Sequence, residues 1–277
     1  MGTLYVVATP IGNLSDLSPR AAETLLHANI VACEDTRRTG KLMQHIGAAN
    51  TKYVVVNEHS EFGATNELIQ ALNAGQTIAL VSDAGTPAIS DPVELLVRAA
   101  IAAGHNVITI PGASAAISAL SISGLDTRWF IFEGFLPRDG SDRTARINAV
   151  KKHEYTTVLY EAPHRLQRTL ADLHKAIGDD RQIVLARELT KMHEDVWRGT
   201  LGEAIDHTNK REPIGEYVII LEACPQLPEA TQETIDSALM QSLHSGLSVK
   251  GAANEVAEIY GLSKRDLYER ALQIRPK

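Results

Sequence analysis

The segment ACEDTRRTGKL, residues 32–42, places two carboxylates, Glu34 and Asp35, beside two guanidinium groups, Arg37 and Arg38, directly after an apolar run. Charges of both signs set so close together can do chemistry in two ways. The arginines can grip an anionic group such as a phosphate. A carboxylate can orient an arginine, or take the proton from a hydroxyl held beside it. The alternative is a capped, solvated helix start with Thr36 near the N-cap. Arginines at a helix N-terminus oppose the macrodipole, so stability does not account for them and ligand binding is the better explanation. Lys41, one turn further on, extends the same basic face.

Three other segments have the composition of ligand-binding turns. ATPIGNLSDLSPRA carries Pro10 and Gly12. VSDAGTPAISDP carries Asp83, Gly85, Pro87, Asp91 and Pro92, and IPGASAAIS carries Pro111, Gly112 and Ser114. Small residues and prolines let backbone amides and carbonyls approach a flat ligand closely. Each turn alone is weak evidence, because Gly and Pro mark turns everywhere. Together with EDTRRTGK they make a purely structural reading poor. The usual marks of dinucleotide binding, P-loop phosphoryl transfer, zinc hydrolysis and α/β-hydrolase chemistry are absent. The ten histidines are scattered, so each reads as a surface or structural residue.

These turns need strands to hold them. LYVVAT (4–9), NIVACE (29–34), YVVV (53–56), TIALVS (77–82) and NVITI (106–110) are β-branched runs, mostly apolar throughout, as parallel strands covered on both faces should be. Ser18-Pro19 and Asp91-Pro92 supply an N-cap and a first-turn proline for two intervening helices, and Gly104 reads as the C′ residue of the second. The four segments then lie at carboxyl ends of parallel strands, where α/β sheets bind ligands. Beyond Pro111-Gly112 the strand candidates are WFIFEGF (129–135), TTVLYEA (156–162), QIVLARELT (182–190), EDVWRGT (194–200) and EYVIILEA (216–223), with only three helical stretches among them. Some neighbours are too close for helical crossovers, which predicts a mixed sheet. The expected domains are 1–111, α/β and mostly parallel, 112–223, α/β with a mixed sheet, and a helical extension at 231–277. CPQLPEATQE (224–233) reads as a linker. The last two of three short helices resemble a helix-turn-helix, with Ser263 and Asp266 as a capping box for the last. Plain packing is favoured there, and Lys250, Lys264 and Arg265 keep nucleic-acid docking open.

The 277-residue chain is 44% hydrophobic, enough for real cores, and only 5% aromatic, which argues against broad stacking platforms. A net charge of -7 means that any nucleic-acid partner must be met by local arginine clusters rather than a basic surface. Arg138, Arg143 and Arg146 in LPRDGSDRTAR are a second basic patch or a solvated loop and helix. Cys33 and Cys224 make no metal-spaced pair, and no segment has the ~20 apolar residues of a membrane span. The N-terminal apolar run lacks a basic n-region and is too short for a signal peptide. A cytoplasmic protein with no membrane partner is expected.

LYVVATPIGNLSDLSPRAAETL, ACEDTRRTGKLM, LVSDAGTPAISDP, PGASAAISALSISGL, FEGFLPR, YEAPHRL and LARELTK, in this order, resemble the ribosomal RNA small subunit methyltransferase I family of the tetrapyrrole methylase superfamily. The likeness runs from about Leu4 to Glu222, with the last helices similar to the family's C-terminal extension. It implies a two-domain tetrapyrrole-methylase-like (class III methyltransferase) fold, an S-adenosylmethionine (SAM) site between the domains, no metal, and a homodimer. It also implies methyl transfer to the ribose 2′-hydroxyl of a cytidine in the decoding region of 16S rRNA, within the small ribosomal subunit. By the family pattern Asp83 would bind the methionine amino group or fix the loop that does, following from Gly85 and Pro87 at the family spacing. Pro10, Thr86, Ser114 and Ala115 would contribute backbone walls. Tyr160, Ala186 and Gly215 lie where superfamily strands meet the adenosine. One departure is Val93, where the family pattern has glycine.

The transfer is a displacement at an activated methyl group. A base for the hydroxyl would be Asp35, Glu34, Glu188 or, given a lowered pKa, Lys191. Arg37, Arg38 and Lys41 would hold rRNA phosphates. Two other functions share these features: a SAM-dependent methylase of a small tetrapyrrole, which a hydrophobic cleft with few arginines would suit, and a non-catalytic SAM-binding ribosome-assembly factor.

Overall fold

The computed structural model describes residues 1–57, 61–90, 94–210, 212–225 and 231–274. The Asp91-Pro92 helix start and Val93 lie outside them. The described residues form two compact units, Met1–Ala223 and Cys224–Lys277.

The first unit opens with a parallel sheet of β1 (Thr3–Val7), β2 (Ile30–Cys33), β3 (Tyr53–Val55), β4 (Thr77–Leu80) and β5 (Asn106–Ile110), in the order β3-β2-β4-β1-β5. Helices α1 (Pro19–His27), α2 (Thr36–His45), α3 (Glu61–Asn73) and α4 (Glu94–Ala102) connect the strands. Alternate side chains of the central strands feed two separate cores. Ile30, Ile78 and Leu80 pack with Leu68, Leu72 and Leu96 of α3 and α4. Val31, Cys33 and Ala79 pack with Leu25, Leu42 and Met43 of α1 and α2. This two-sided burial is why β2 and β4 read as uninterrupted apolar runs. Burial contributes roughly 1.5–3 kcal/mol for each such Leu or Ile. At the sheet edge the rule fails: Ile108 of β5 is 38% exposed, because an edge strand lacks neighbours on one side. The Ser18 hydroxyl accepts the Ala21 amide at 3.1 Å, with Pro19 in the first turn of α1, as expected. Gly104 follows α4 at φ +77°, the left-handed geometry of a C′ glycine.

After α5 (Ala115–Ser121) comes a second sheet. It comprises β6 (Phe130–Phe135), β7 (Thr156–Glu161), β8 (Gln182–Arg187), β9 (Asp195–Thr200) and β10 (Tyr217–Leu221), ordered β6-β7-β10-β8-β9. β6 and β7 are parallel and the other pairs antiparallel, the mixed sheet predicted. Helices α6 (Gly140–Lys151), α7 (Pro163–Ile177) and α8 (Leu201–Asn209) lie among its strands. One face, with Leu159, Leu185 and Ile219, packs on Leu166, Leu170 and Leu201. The other, with Val158, Val184, Ala186 and Val218, packs on Ala116 and Leu120 of α5 and on Ile11 from the turn after β1. That turn is therefore shared by both sheets.

The second unit holds α9 (Gln232–His244), α10 (Val249–Tyr260) and α11 (Lys264–Ile274) around Leu239, Ala252, Ala253, Val256, Leu267 and Ala271. Alanines at the contact allow close helix approach. Gly261 ends α10 at φ +66°, and the Asp266 amide lies 3.5 Å from the Ser263 hydroxyl, one half of the expected capping box. Among the described residues no helix is long and apolar enough to cross a membrane.

Candidate functional site

A cavity of about 500 Å³ lies within the first unit, lined by carboxyl ends of strands from both sheets, the turns that follow them and the amino end of antiparallel β10. Glu34, Arg38, Asp83, Gly85, Ala115, Tyr160, Ala186, Glu188 and Lys191 are on its wall. Pro10, Asp35, Arg37, Lys41, Thr86, Pro87, Ser114 and Gly215 are not wall residues, although all but Lys41 sit within a residue or two of one.

The turn after β4 is pinned to the turn after β1 by a two-residue bridge. Thr9 N donates to Gly85 O at 2.9 Å and Gly85 N to Thr9 O at 3.1 Å. Gly85 adopts φ +79°, where a side chain is strained, and a Cβ there would press on Ile11 at 3.3 Å. The Thr86 hydroxyl donates to Ala113 O at 3.2 Å, joining this turn to the one after β5, and Pro87 is buried. Between them stands Asp83. Its Oδ2 is 3.3 Å from Arg38 Nε, while its Oδ1 is buried and has no hydrogen-bond partner among the described residues. Burial pushes the carboxyl above its ordinary range, and Arg38 and the backbone amide of Asp35 partly offset this. A buried acceptor left open costs free energy unless a ligand fills it.

The charged segment resolves into two different arginines. Asp35 is the N-cap of α2, with Thr36 the first helical residue beside it, and accepts the Arg37 amide at 2.8 Å. Its carboxylate also takes Arg37 Nε at 3.2 Å and Nη2 at 2.9 Å, and this bidentate grip holds it below the usual carboxylate range. Arg38 instead reaches back to Asp83 on the cavity wall. Lys41 is exposed, with no ion pair among the described residues.

On the opposite wall Glu188 adopts φ +51°, unusual for a residue with a Cβ. Its Oε1 accepts Lys191 Nζ at 2.8 Å and the Glu216 amide at 2.9 Å. A Cβ on Gly215 would lie 2.4 Å from Glu188 Cγ, so glycine there makes room for this carboxylate. Burial pushes Glu188 up, but Lys191 and the Glu216 amide outweigh it and hold it below its ordinary range. Burial pulls Lys191 down, but Glu188 and Glu216 together hold it above its ordinary value, the opposite of what a base at Lys191 requires. Thr190, at φ +66°, accepts the Asn13 amide at 3.1 Å through its hydroxyl.

Tyr160 carries an aromatic cluster: Phe132 packs edge-on at 5.1 Å and Phe135 at 5.6 Å. Its hydroxyl accepts the Ala116 amide at 3.2 Å. Burial raises its pKa, offset in part by that amide and by Ser114. The adjacent wall from Glu161 to His164 is held from behind by a buried polar network. Glu161 accepts the Ala162 amide at 2.9 Å, the Thr169 hydroxyl at 2.5 Å and Arg165 Nε at 3.1 Å. Arg143 is 4% exposed and donates to Thr169, to Pro137 O and to Asp172. The second basic patch therefore does not form as a cluster of three: Arg143 is a core anchor and Arg146, though exposed, pairs with buried Glu133, leaving Arg138 exposed and without an ion pair among the described residues. Phe135, His164 and Glu216 are wall residues that sequence reasoning did not single out. The first two lie inside FEGFLPR and YEAPHRL, whereas nothing in the sequence marks Glu216.

The family model for Tetrapyrrole (Corrin/Porphyrin) Methylases matches residues 3–205, and that for the RsmI C-terminal HTH domain matches residues 229–275. The chain is 46% identical over 276 residues to a ribosomal RNA small subunit methyltransferase I from Synechocystis sp., covering 99% of each. It is 44% identical to one from Pseudomonas aeruginosa, covering 100% of this chain and 99% of that one. Among solved structures it is similar in fold to a cobalt precorrin-4 methyltransferase, with a TM-score of 0.63 and 14% identity, over 79% of this chain and 94% of the other. A uroporphyrin-III C-methyl transferase from Thermus thermophilus complexed with S-adenyl homocysteine gives a TM-score of 0.58 and 16% identity, over 80% and 97%. The chain belongs to the tetrapyrrole methylase superfamily and, within it, to the family of ribosomal RNA small subunit methyltransferase I.

Proposed function

We propose that the protein transfers the methyl group of SAM to the ribose 2′-hydroxyl of a cytidine in the decoding region of 16S rRNA, acting as a cytoplasmic homodimer on the small ribosomal subunit. The observation that carries this reading is the open, buried Oδ1 of Asp83 on the wall of a cavity whose rim holds Arg38. An anionic acceptor there fits the ammonium of a methionine moiety, and a charge-assisted hydrogen bond of that kind is among the stronger ones available. Ile11, Ala115, Tyr160, Ala186 and Val218 supply an apolar wall for the adenosine, with Gly85 and the turns holding Pro10, Thr86, Pro87, Ser114 and Gly215 shaping it. The domain limits we assign are 1–111, 112–223 and 231–277.

SAM supplies, when bound, a methyl group already activated by the sulfonium charge. The protein's work is then to orient the hydroxyl and to receive its proton. Orientation falls to the α2 rim: Arg38 and Lys41 offer cations to backbone phosphates, and Arg37, held by Asp35, fixes the helix start. Of the four candidate bases, Lys191 is held as a cation, Glu188 is weakened by two donors, and Asp35 caps α2 away from the wall. Glu34 lies on the cavity wall, and we assign it the role on that position. A positioned base contributes about 10²–10⁴-fold, and Glu34→Gln should lose that factor while keeping affinity for S-adenosylhomocysteine (SAH). The cations that Arg38 and Lys41 offer on α2 favour a phosphate-bearing substrate over a macrocycle.

The test is to incubate the protein and SAM with small subunits from a strain lacking this modification, and to search the digested 16S rRNA by mass spectrometry. One new 2′-O-methylcytidine in the decoding region is the expected result. SAH binding without methylation of subunits would reject the RNA substrate.

A further inference from the structure

The two arginines of the α2 start are in different states. Arg37 is held along the Nε–Nη2 edge of its guanidinium by Asp35, which is itself committed to capping the helix. The Arg38 side chain is 62% exposed, and its one partner among the described residues is Asp83, met through Nε at 3.3 Å. Its terminal nitrogens contact no described acceptor. The two oxygens of Asp83 are unequal as well: Oδ2 faces Arg38, whereas Oδ1 is buried and open.

We propose that Arg38 is a positioning residue that ties cofactor binding to RNA binding: it rests on Asp83 when RNA is absent and passes to an RNA phosphate when RNA is present, so that each ligand strengthens the other. The proposal rests on the reading above, in which Asp83 takes the cofactor's ammonium and the α2 rim takes RNA. While Arg38 occupies Oδ2 it neutralises part of the negative potential that an ammonium would meet at Oδ1. An exposed ion pair with a single long contact is weakly held, so a phosphate, which accepts the guanidinium fork bidentately, can draw it away. Asp83 then has no competing cation, and its partly buried carboxylate attracts the ammonium more strongly than it would in water. Linkage requires the reverse effect to be equal: bound cofactor loosens Arg38 and raises RNA affinity by the same factor. Arg37 and Asp35 also act on Asp83, but they stay paired with one another, so their effect is the same with and without RNA.

The experiment is equilibrium dialysis of labelled SAH with the full-length protein, with and without purified unmodified small subunits, for the wild type, Arg38→Gln and Arg38→Lys. Wild type should bind SAH about 5- to 20-fold more tightly when subunits are present, within the usual range of such couplings. Arg38→Gln should bind SAH several-fold more tightly than wild type without subunits and gain nothing when they are added, while Arg38→Lys keeps part of the gain. Methylthioadenosine, which lacks the ammonium, should show no coupling in any variant. Weaker SAH binding by Arg38→Gln would overturn the proposal, because Arg38 would then be holding the cofactor's own carboxylate. An undiminished gain in that variant would overturn it too. If subunits do not bind the wild type, the RNA reading falls and the coupling with it, whereas the variant's affinity without RNA still reports whether Arg38 competes at Asp83.

Discussion

Replacing Asp83 by asparagine keeps the size of the side chain and removes its charge. If Oδ1 accepts the cofactor's ammonium, the loss is that of one hydrogen bond to a charged group, about 1.5–3 kcal/mol, so SAH should bind roughly 10- to 150-fold more weakly at 1.4 kcal/mol per tenfold. Folding stability should respond in the other direction or not at all. Burial raises this carboxyl in the folded state, so ionised Asp83 favours the folded protein less and less as pH rises through that range. Asparagine removes this penalty at neutral pH, while the lost pair with exposed Arg38 costs only about 0–1 kcal/mol. A net change below ~1 kcal/mol corresponds to less than about 4 °C in Tm for a unit of this size. The same reasoning fixes the pH dependence: wild-type SAH affinity should fall as pH is lowered through the raised Asp83 titration, and the asparagine variant should be flat there. Calorimetric titration from pH 4.5 to 8 with parallel melting curves reads both quantities. Unchanged SAH affinity in a folded Asp83→Asn protein would refute the assignment of Oδ1 as the ammonium acceptor.

Lys191→Arg should retain most methylation, because an arginine can still pair with Glu188 and Glu216; a loss beyond about 100-fold in single-turnover rate, within the range a positioned base supplies, would restore Lys191 as the base. Gly215→Ala meets both a left-handed backbone and the Glu188 side chain, so denaturant unfolding should show a loss of about 2–4 kcal/mol, from roughly 1–2 for the backbone and the rest from displaced hydrogen bonds. Arg143→Met removes the close donor to Asp172, the Pro137 carbonyl and Thr169, leaving only Arg168 at 3.9 Å from Asp172 and Arg165 at 3.5 Å from Pro137 O; with Asp172 part-exposed the cost should be about 2–3 kcal/mol in stability. Its affinity for small subunits, measured on the folded fraction, should stay unchanged, and a selective loss of RNA binding would contradict the anchoring role.

Much of this architecture is written in short-range pattern. β5 was legible to the residue at 106–110, because Gly104 before it and Pro111 after it bound an apolar run, and Ser18-Pro19 announced α1 by capping chemistry alone. The turns bearing Asp83, Gly85 and Ala115 were legible as strand-end turns, and they do line the cavity. What was hidden depends on three-dimensional pairing. An arginine in a polar stretch looks solvated, and only Asp172, Thr169 and Pro137, brought in by folding, make Arg143 a core residue. Glu188 and Thr190 carry no mark of their left-handed backbone, and the groups that meet them, Gly215 and the Glu216 and Asn13 amides, come from elsewhere in the chain. Asp35 and Thr36 are both good caps, and the choice between them falls to Asp35 because its carboxylate reaches the Arg37 amide and guanidinium together.

The turn after β1 and the turn after β8 fit each other at Gly12, where a Cβ would lie 2.4 Å from Lys191 Cγ and 2.8 Å from Thr190 Oγ1. The seam is closed by the Asn13 amide on that same hydroxyl. The two sheets are thus not interchangeable modules. A hybrid that takes its first sheet from one relative and its second from another must inherit the residues at 12, 13, 190 and 191 from a single parent. Inherited drift at any of these positions would be felt first as a misaligned cavity rather than as a failure of either sheet to form.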